Sequence, residues 1–452
     1  MSEALKPFPI STETGPQHTA DLPSKVDVAI IGGGVIGVCT AIFLARSGQR
    51  VVLLEKGRIA GEQSSRNWGW IRQQGRDPDE LPIMKEAASL WRALAFETNV
   101  DIGLVQGGVT YLTADETEME AYAAWLPYAQ ALDIDTRLLS AKETAKAMPG
   151  LSRRYAGALV TPSDMRAEPW VAVPALAGIA IREGARIIEN CAVRCLDIEA
   201  GAVRGVMTEK GRIVASEVVL AGGAWSSLFL ANHGVKLPQL SVRATVAATT
   251  PLPMVYTGGA TDDRIAFRPR ADGGYSLAAG GFHELFVGPA ALRALPKYIK
   301  QLKAEPFKTR FLPGAPSGYP DAWGTARRWD GEMITPFEKM RVLNPKPNEG
   351  NLRALKRNFA QLFPELPNFD FSCAWAGMID TMPDVVPVID RIAALPGLTV
   401  GTGMSGHGFG IGPGVGQLLA RLVTGQAPGH DLSRFRASRF SDGSDIELGP
   451  SL

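Results

Sequence analysis

Apolar and polar positions set out a regular order of elements along this chain. From Val26 to Ile31 it reads VDVAII, a short apolar run of strand type. It passes through Gly32-Gly33-Gly34-Val35-Ile36-Gly37 into an apolar helical run closed by Gly48, and a second apolar strand, Val51–Leu54, ends on Glu55. Apolar residues recurring at helical spacing predict helices over 81–98, 115–131, 170–183, 286–303 and 351–363, with a strand over Gly107–Leu112 between the first two. Strands are predicted at 185–190, 191–198, 203–208, 211–213 and 217–220. The stretch 241–285 is strand-rich, with a hairpin signal at Ala271-Asp272-Gly273-Gly274. Near the C-terminus a strand at 398–400 runs into GTGMSGHGFGIGPGVG, and a helix is predicted from Pro413 to Gly425, with proline at its start and glycine past its end.

The first of these units carries chemistry. A strand, a G-x-G-x-x-G turn, a helix and a second strand ending in an acid form a dinucleotide-binding pattern. Gly32 makes the tight turn, Gly34 lets a pyrophosphate approach the backbone, and Gly37 lets helix and strand pack closely. The helix start offers unpaired N–H groups and a positive dipole end to phosphates. Glu55 is placed to accept hydrogen bonds from a ribose. The segment 57–76, GRIAGEQSSRNWGWIRQQGR, is too polar for core and too rich in functional groups for a linker.

Size and composition narrow the class. With 452 residues, 45% hydrophobic and 21% charged, the chain suits two or three domains with a large core. A net charge of +1 gives no sign of a nucleic-acid partner. Cys39, Cys191, Cys195 and Cys373 fit no zinc spacing and are expected as reduced thiols. Residues 1–24 are polar and proline-bearing and lack the pattern of a signal peptide or membrane anchor, so they are expected to form a flexible tail on a cytoplasmic protein.

The expected fold class is α/β, a Rossmann-like FAD-binding domain built from discontinuous segments (25–80, 151–240 and 371–440). Segments 81–150 and 241–370 would form an α+β substrate domain with a mixed or antiparallel sheet, and 441–452 a second tail.

Four motifs together resemble the flavoprotein family of D-amino-acid oxidase, sarcosine oxidase and glycine oxidase: the glycine turn, GEQSSRNWG at 61–69, VVLAGGAWS at 218–226 and GMSGHGFGIGPGVG at 403–416. Within that family, NCAVR followed by EKG and TPFEKMRV at 335–342 most resemble the bacterial L-amino-acid deaminases, although those carry an N-terminal membrane helix that is not seen here. The resemblance implies FAD. Its cofactor set maps onto Gly32, Gly34, Val35, Ile36, Gly37, Glu55, Lys56, Ser64, Ser65, Arg66, Asn67, Trp68, Gly69, Trp70, Val193, Ala221, Gly222, Trp225, Gly377, Gly406, His407, Gly408, Phe409 and Gly410. Sarcosine oxidases bond flavin through a cysteine that aligns with Gly377, and Cys373 lies four residues away, so FAD is expected to be non-covalent.

Arg268 would grip a substrate carboxylate with its planar fork, with Arg270 as rival and a solvent-facing strand arginine as the alternative. His407 reads as a general base or as a bystander among glycines whose backbone faces the flavin, and the resemblance favours the second. Trp70 would reach the flavin ring. Asp380 would either attract a cationic substrate group or cap the local backbone. The implied reaction is oxidation of the carbon–nitrogen bond of an amino acid by hydride transfer to flavin, followed by imine hydrolysis to keto acid and ammonia. Alternatives are a secondary amine such as an N-alkyl amino acid or opine, or a non-catalytic or RNA-modifying flavoprotein. Oxygen or a quinone would take the electrons. Residues 285–303 form a basic amphipathic helix, either an ordinary surface element or a peripheral contact with the inner membrane.

Overall fold

The computed structural model describes residues 5–280, 283–305 and 308–449. Two large sheets organise it, and the first is built from distant segments. Lys25–Ile31 lies parallel between Val51–Leu54 and the long strand Gly211–Leu220, with Arg186–Ile188 beyond Val51–Leu54. Leu398–Thr402 adds to the C-terminal half of Gly211–Leu220 in parallel. Strands Val193–Glu199 and Ala202–Thr208 extend the other end as antiparallel hairpins. Val51–Leu54 is buried along its whole length, the mark of a parallel strand covered on both faces.

Helices Val35–Arg46, Leu81–Glu97, Pro169–Arg182 and Gly408–Val423 supply apolar side chains to the core on one face, including Ile42, Trp91, Leu176 and Leu418. The other face is covered by Trp225, Phe229, Trp329 and Phe337. The second sheet is mixed and centres on Leu240–Thr249, which pairs antiparallel with Phe371–Thr381 from Leu240↔Thr381 to Thr249↔Phe371. A small three-stranded sheet of Trp70–Ile71, Met165–Arg166 and Val105–Gln106 lies apart from both.

Three local expectations change. The strands predicted at 211–213 and 217–220 are one strand, because its two halves share Lys25–Ile31 as neighbour while pairing in turn with Ala202–Thr208 and Leu398–Thr402. The last helix starts at Gly408, five positions before Pro413. Glycine is a poor helix former, but here packing overrides propensity. A Cβ on Gly416 would sit 2.5 Å from the Cβ of Cys39, so glycine lets this helix lie directly on Val35–Arg46. The N-terminal stretch is no loose tail in its described part. Lys6 bridges to Cys373 and Thr19 to Ile188, and the segment between them is bonded to the body of the protein.

Candidate functional site

A cavity of about 1020 Å³ runs from the glycine turn to the start of the last helix and on toward the second sheet. At one end, Gly32 has φ +110°, and a Cβ there would lie 2.4 Å from the Ala221 carbonyl. A Cβ on Gly37 would lie 2.0 Å from the Gly32 carbonyl, so only glycine lets the helix meet the strand. Two of the amides at the turn are already capped: Gly33 donates to Glu55 Oε2 at 2.7 Å and Val35 to Ser64 Oγ at 2.9 Å. The helix start still carries unpaired donors and its dipole end at the cavity wall. Glu55 also accepts from the Gly57 amide at 2.7 Å, and burial pushes its carboxyl up to about 7.

Most of the cofactor set lines this cavity: Gly32, Gly34, Val35, Ile36, Glu55, Lys56, Ser64, Arg66, Asn67, Trp68, Trp70, Val193, Ala221, Gly222, Trp225, Gly377 and Gly406 to Gly410. Three members do not. Gly37 acts in packing. Ser65 is fully buried and donates to the Ala60 carbonyl, so it shapes the loop from behind. Gly69, at φ +81°, faces Ala167 and Arg268.

Several wall residues are committed to the protein itself. Lys56 pairs with Glu62 at 2.6 Å and lies over the Trp225 ring. Glu62 also accepts from Trp225 Nε1 and the Leu343 amide. Asn67 holds the backbone of its own loop. Trp70 meets Trp68 edge-on at 5.1 Å, and its buried Nε1 has no hydrogen-bond partner among the described residues.

The candidates for substrate chemistry move most. Arg268 is not on the cavity wall. It is 1% exposed, and its guanidinium is spent: Nη1 and Nη2 donate to the two oxygens of Glu168 at 2.7 and 2.9 Å, Nη1 also to the Pro269 carbonyl, and Nε to the Trp68 carbonyl. It anchors the Trp68–Trp70 loop. Arg270 is no substitute, since it pairs with Asp272 and stacks on Trp170. Asp380 lines the cavity and is also bonded locally. Its Oδ2 accepts from Gln239 Nε2 at 3.0 Å and the Gly403 amide at 2.8 Å, and burial raises its carboxyl. His407 lines the cavity with burial, then the charge of Arg76, pulling its imidazole down to about 4, so it is neutral near pH 7.

Other residues meet here that were not singled out from sequence. Arg76 donates to Glu80 at 3.1 Å and to the His407 carbonyl at 3.1 Å, and His407 Nδ1 lies 3.7 Å from Glu80. Arg72 lies over Tyr111 at 5.6 Å, and Tyr111 neighbours Tyr122 at 6.5 Å. Both arginines belong to the polar segment 57–76, so their functional density was visible in sequence. The two tyrosines come from a strand and a helix whose meeting no local pattern announces.

The sequence profile described as FAD dependent oxidoreductase matches residues 27–422. The chain belongs to the FAD-dependent oxidoreductase family. It is similar to glycine oxidase of Geobacillus kaustophilus (26% identical, over 92% of this chain and 97% of that one). Among solved structures it resembles L-amino acid deaminase from Proteus myxofaciens in complex with anthranilate (TM-score 0.88, 30% identity, covering 94% and 96%). The deaminase from Proteus vulgaris is equally close in fold (TM-score 0.88, 27%, covering 94% and 100%). This family member is thus a flavoenzyme, and FAD is its cofactor. The donors at the Gly32–Gly37 turn and the glycine-lined walls at Gly222 and Gly406 fit a long cofactor. Among the described residues no helix is long and apolar enough to cross a membrane.

Proposed function

We propose that this enzyme oxidises the carbon–nitrogen bond of an α-amino acid or N-alkyl amino acid whose carboxylate is held by Arg72. Bound FAD supplies the two-electron acceptor for that oxidation, and water then releases the oxo acid and the amine. Arg72 is the observation that carries the reading. Among the described residues five arginines line the cavity. Arg76 and Arg341 are in ion pairs with Glu80 and Glu209. Arg58 and Arg66 are spent on carbonyl and amide oxygens, Arg58 on Thr14 and Asn190 and Arg66 on Gly61, Ala376 and Asn344. Among the described residues Arg72 donates only to the Gln74 carbonyl, leaving most of its fork for a carboxylate.

Neutral His407 and the buried Arg76–Glu80 pair shape the wall without supplying a base. A substrate with a neutral amine needs none from the protein. The test is anaerobic bleaching of the flavin across L- and D-amino acids, sarcosine and carboxylate-free amines. Amino acids should bleach it and the simple amines should not. Arg72→Ala should weaken amino-acid binding by roughly ten- to hundredfold, the worth of a hydrogen bond to a charged group. Equal bleaching by amines lacking a carboxylate would remove the reading.

For the electron acceptor, oxygen and a quinone remain the two candidates. Helix Pro289–Ala304 favours an acceptor reached at an anionic lipid surface. It leaves Leu292, Leu295 and Ile299 exposed at 53, 46 and 45%, the first two also lining the cavity, with Arg293, Lys297 and Lys303 around them. Anionic vesicles should bind the protein at low salt and release it at high salt. Rapid hydrogen peroxide formation in air with no vesicle binding would assign the helix to the ordinary surface.

A further inference from the structure

The described N-terminal stretch lies one layer behind the cofactor cavity. None of its described residues lines that cavity, yet two residues that do, Arg58 and Arg66, are bonded to it. Three points of attachment run along it.

At the first, the Lys6 amide donates to the Ser372 carbonyl at 2.9 Å. Pro7 and Pro9 bracket Phe8 and favour an extended backbone there. Phe8 then packs against Trp170 and Trp375, with ring centroids at 5.5 and 5.4 Å, and carries the guanidinium of Arg66 on its face at 4.3 Å. Arg66 is the cavity residue beneath which the loop 58–66 turns. Its Nη1 donates to the Ala376 carbonyl at 3.1 Å, and its own carbonyl accepts from Trp375 Nε1 at 2.9 Å. A Cβ on Gly377, the next cavity residue, would lie 3.4 Å from the Cβ of Arg66.

At the second point, the buried guanidinium of Arg58 donates to the Thr14 and Thr12 carbonyls. At the third, the Glu189 carboxylate joins strap to loop. One oxygen accepts from the Gln17 and His18 amides and the other from the Ile59 amide at 2.6 Å. Both ends of the loop 58–66 are therefore tied to residues 8–18. That loop presents Ser64, whose Oγ caps the Val35 amide at the phosphate end of the cavity.

We infer that residues 6–19 are a clasp that holds the cofactor loop 58–66 in its FAD-binding conformation, so that retention of FAD depends on this strap although the strap does not touch the cavity. Phe8 is then a positioning residue acting through Arg66, and Glu189 one acting through Ile59. By linkage the coupling is reciprocal: whatever the clasp adds to FAD affinity, FAD adds to closure of the clasp.

The experiment uses the full-length holoenzyme with Phe8→Ala, Phe8→Leu and Glu189→Gln. The FAD release rate is read from the fluorescence of freed flavin after dilution, and hydrogen exchange at the Lys6, Gln17 and His18 amides is followed with and without added FAD. Loss of a cation–π contact predicts a roughly three- to thirtyfold faster release for Phe8→Ala. Phe8→Leu, which keeps apolar packing without the ring face, should fall between it and wild type. Glu189→Gln should also accelerate release, since an amide keeps one acceptor oxygen and must set its NH2 against either the Ile59 N–H or the Gln17 and His18 N–H groups. In wild type, FAD should slow exchange at the strap amides, and saturating FAD should restore turnover in the variants. If Phe8→Ala fails to fold, Glu189→Gln and the exchange measurement decide. Release rates within twofold of wild type, or strap exchange indifferent to FAD, would overturn the inference.

Discussion

Replacing Arg268 with methionine should cost stability and leave ligand binding nearly intact. The pair it forms with Glu168 is buried on both sides, at 1 and 7% exposure, and the Ala271 amide adds a further bond to the carboxylate at 2.9 Å. Burial alone would push the Glu168 carboxyl up, but the charge and hydrogen bonds of Arg268 outweigh it and hold the group down at about 2. Against an unfolded value near 4.3 this corresponds to about 3 kcal/mol. Breaking a buried pair by removing one partner typically costs about 3–5 kcal/mol, in agreement. For a chain of this length the thermal midpoint should fall by about 3–5 °C. The sign with pH follows from the depressed value. The contribution is complete above the unfolded pKa and is lost as pH falls from about 4 toward 2, so the gap between wild type and variant should close in acid. The assay is a melt at pH 7 and at the lowest pH where the protein stays folded, beside a benzoate titration read from the flavin spectrum. An unchanged midpoint with benzoate binding weakened tenfold or more would show that Arg268 holds the ligand after all.

Acid precipitation should leave the yellow colour in the supernatant, because Gly377 offers no thiol and Cys373 is buried on a strand away from the cavity wall; colour in the pellet would mean a covalent flavin. His407→Gln should retain flavin reduction within about tenfold and show no new titration between pH 5 and 8, whereas a lost general base costs about 10²–10⁴-fold. Two histidines, His233 and His407, are pulled to about 4, chiefly by burial. Their contribution to stability is therefore full above about 6.5 and declines as pH falls toward 4, which a pH series of melts on the double variant should flatten. Gly416→Ala would place a Cβ 2.5 Å from that of Cys39 and should destabilise by about 1–3 kcal/mol, read as a lower midpoint with FAD still bound. An unchanged midpoint would mean the helix contact is looser than its geometry.

How much of this was legible in sequence depends on the range of the interaction involved. The glycine turn was readable because its parts are adjacent. Strand, turn and helix are consecutive, and the Gly32–Gly37 contact closes over five residues. Helices 81–97 and 116–130 were readable for the same reason, as a period of 3.6 repeats within each of them. The polar segment 57–76 announced a density of functional groups, and its Ser64, Arg66, Arg72 and Arg76 line the cavity.

Only the tertiary structure could decide which of these groups remains available for chemistry. Arg268 and Arg72 are both arginines in plausible settings, and they part because Glu168 arrives beside one of them from 100 residues away. Asp380 is bonded locally because Gln239 and Gly403 were folded against it. The N-terminal stretch has the composition of a tail, since its order depends on Glu189, Arg58, Arg66 and two tryptophans that it meets only after the chain has closed. The last helix carries glycine at 412 and 416 against helix propensity because the helix beneath it, at Val35 and Cys39, leaves no room for a side chain. Sequence determines local periodicity and the supply of functional groups. Burial and charge pairing depend on neighbours brought from far along the chain, and those neighbours settle whether an arginine is spent on a carboxylate of the protein or left with free donors.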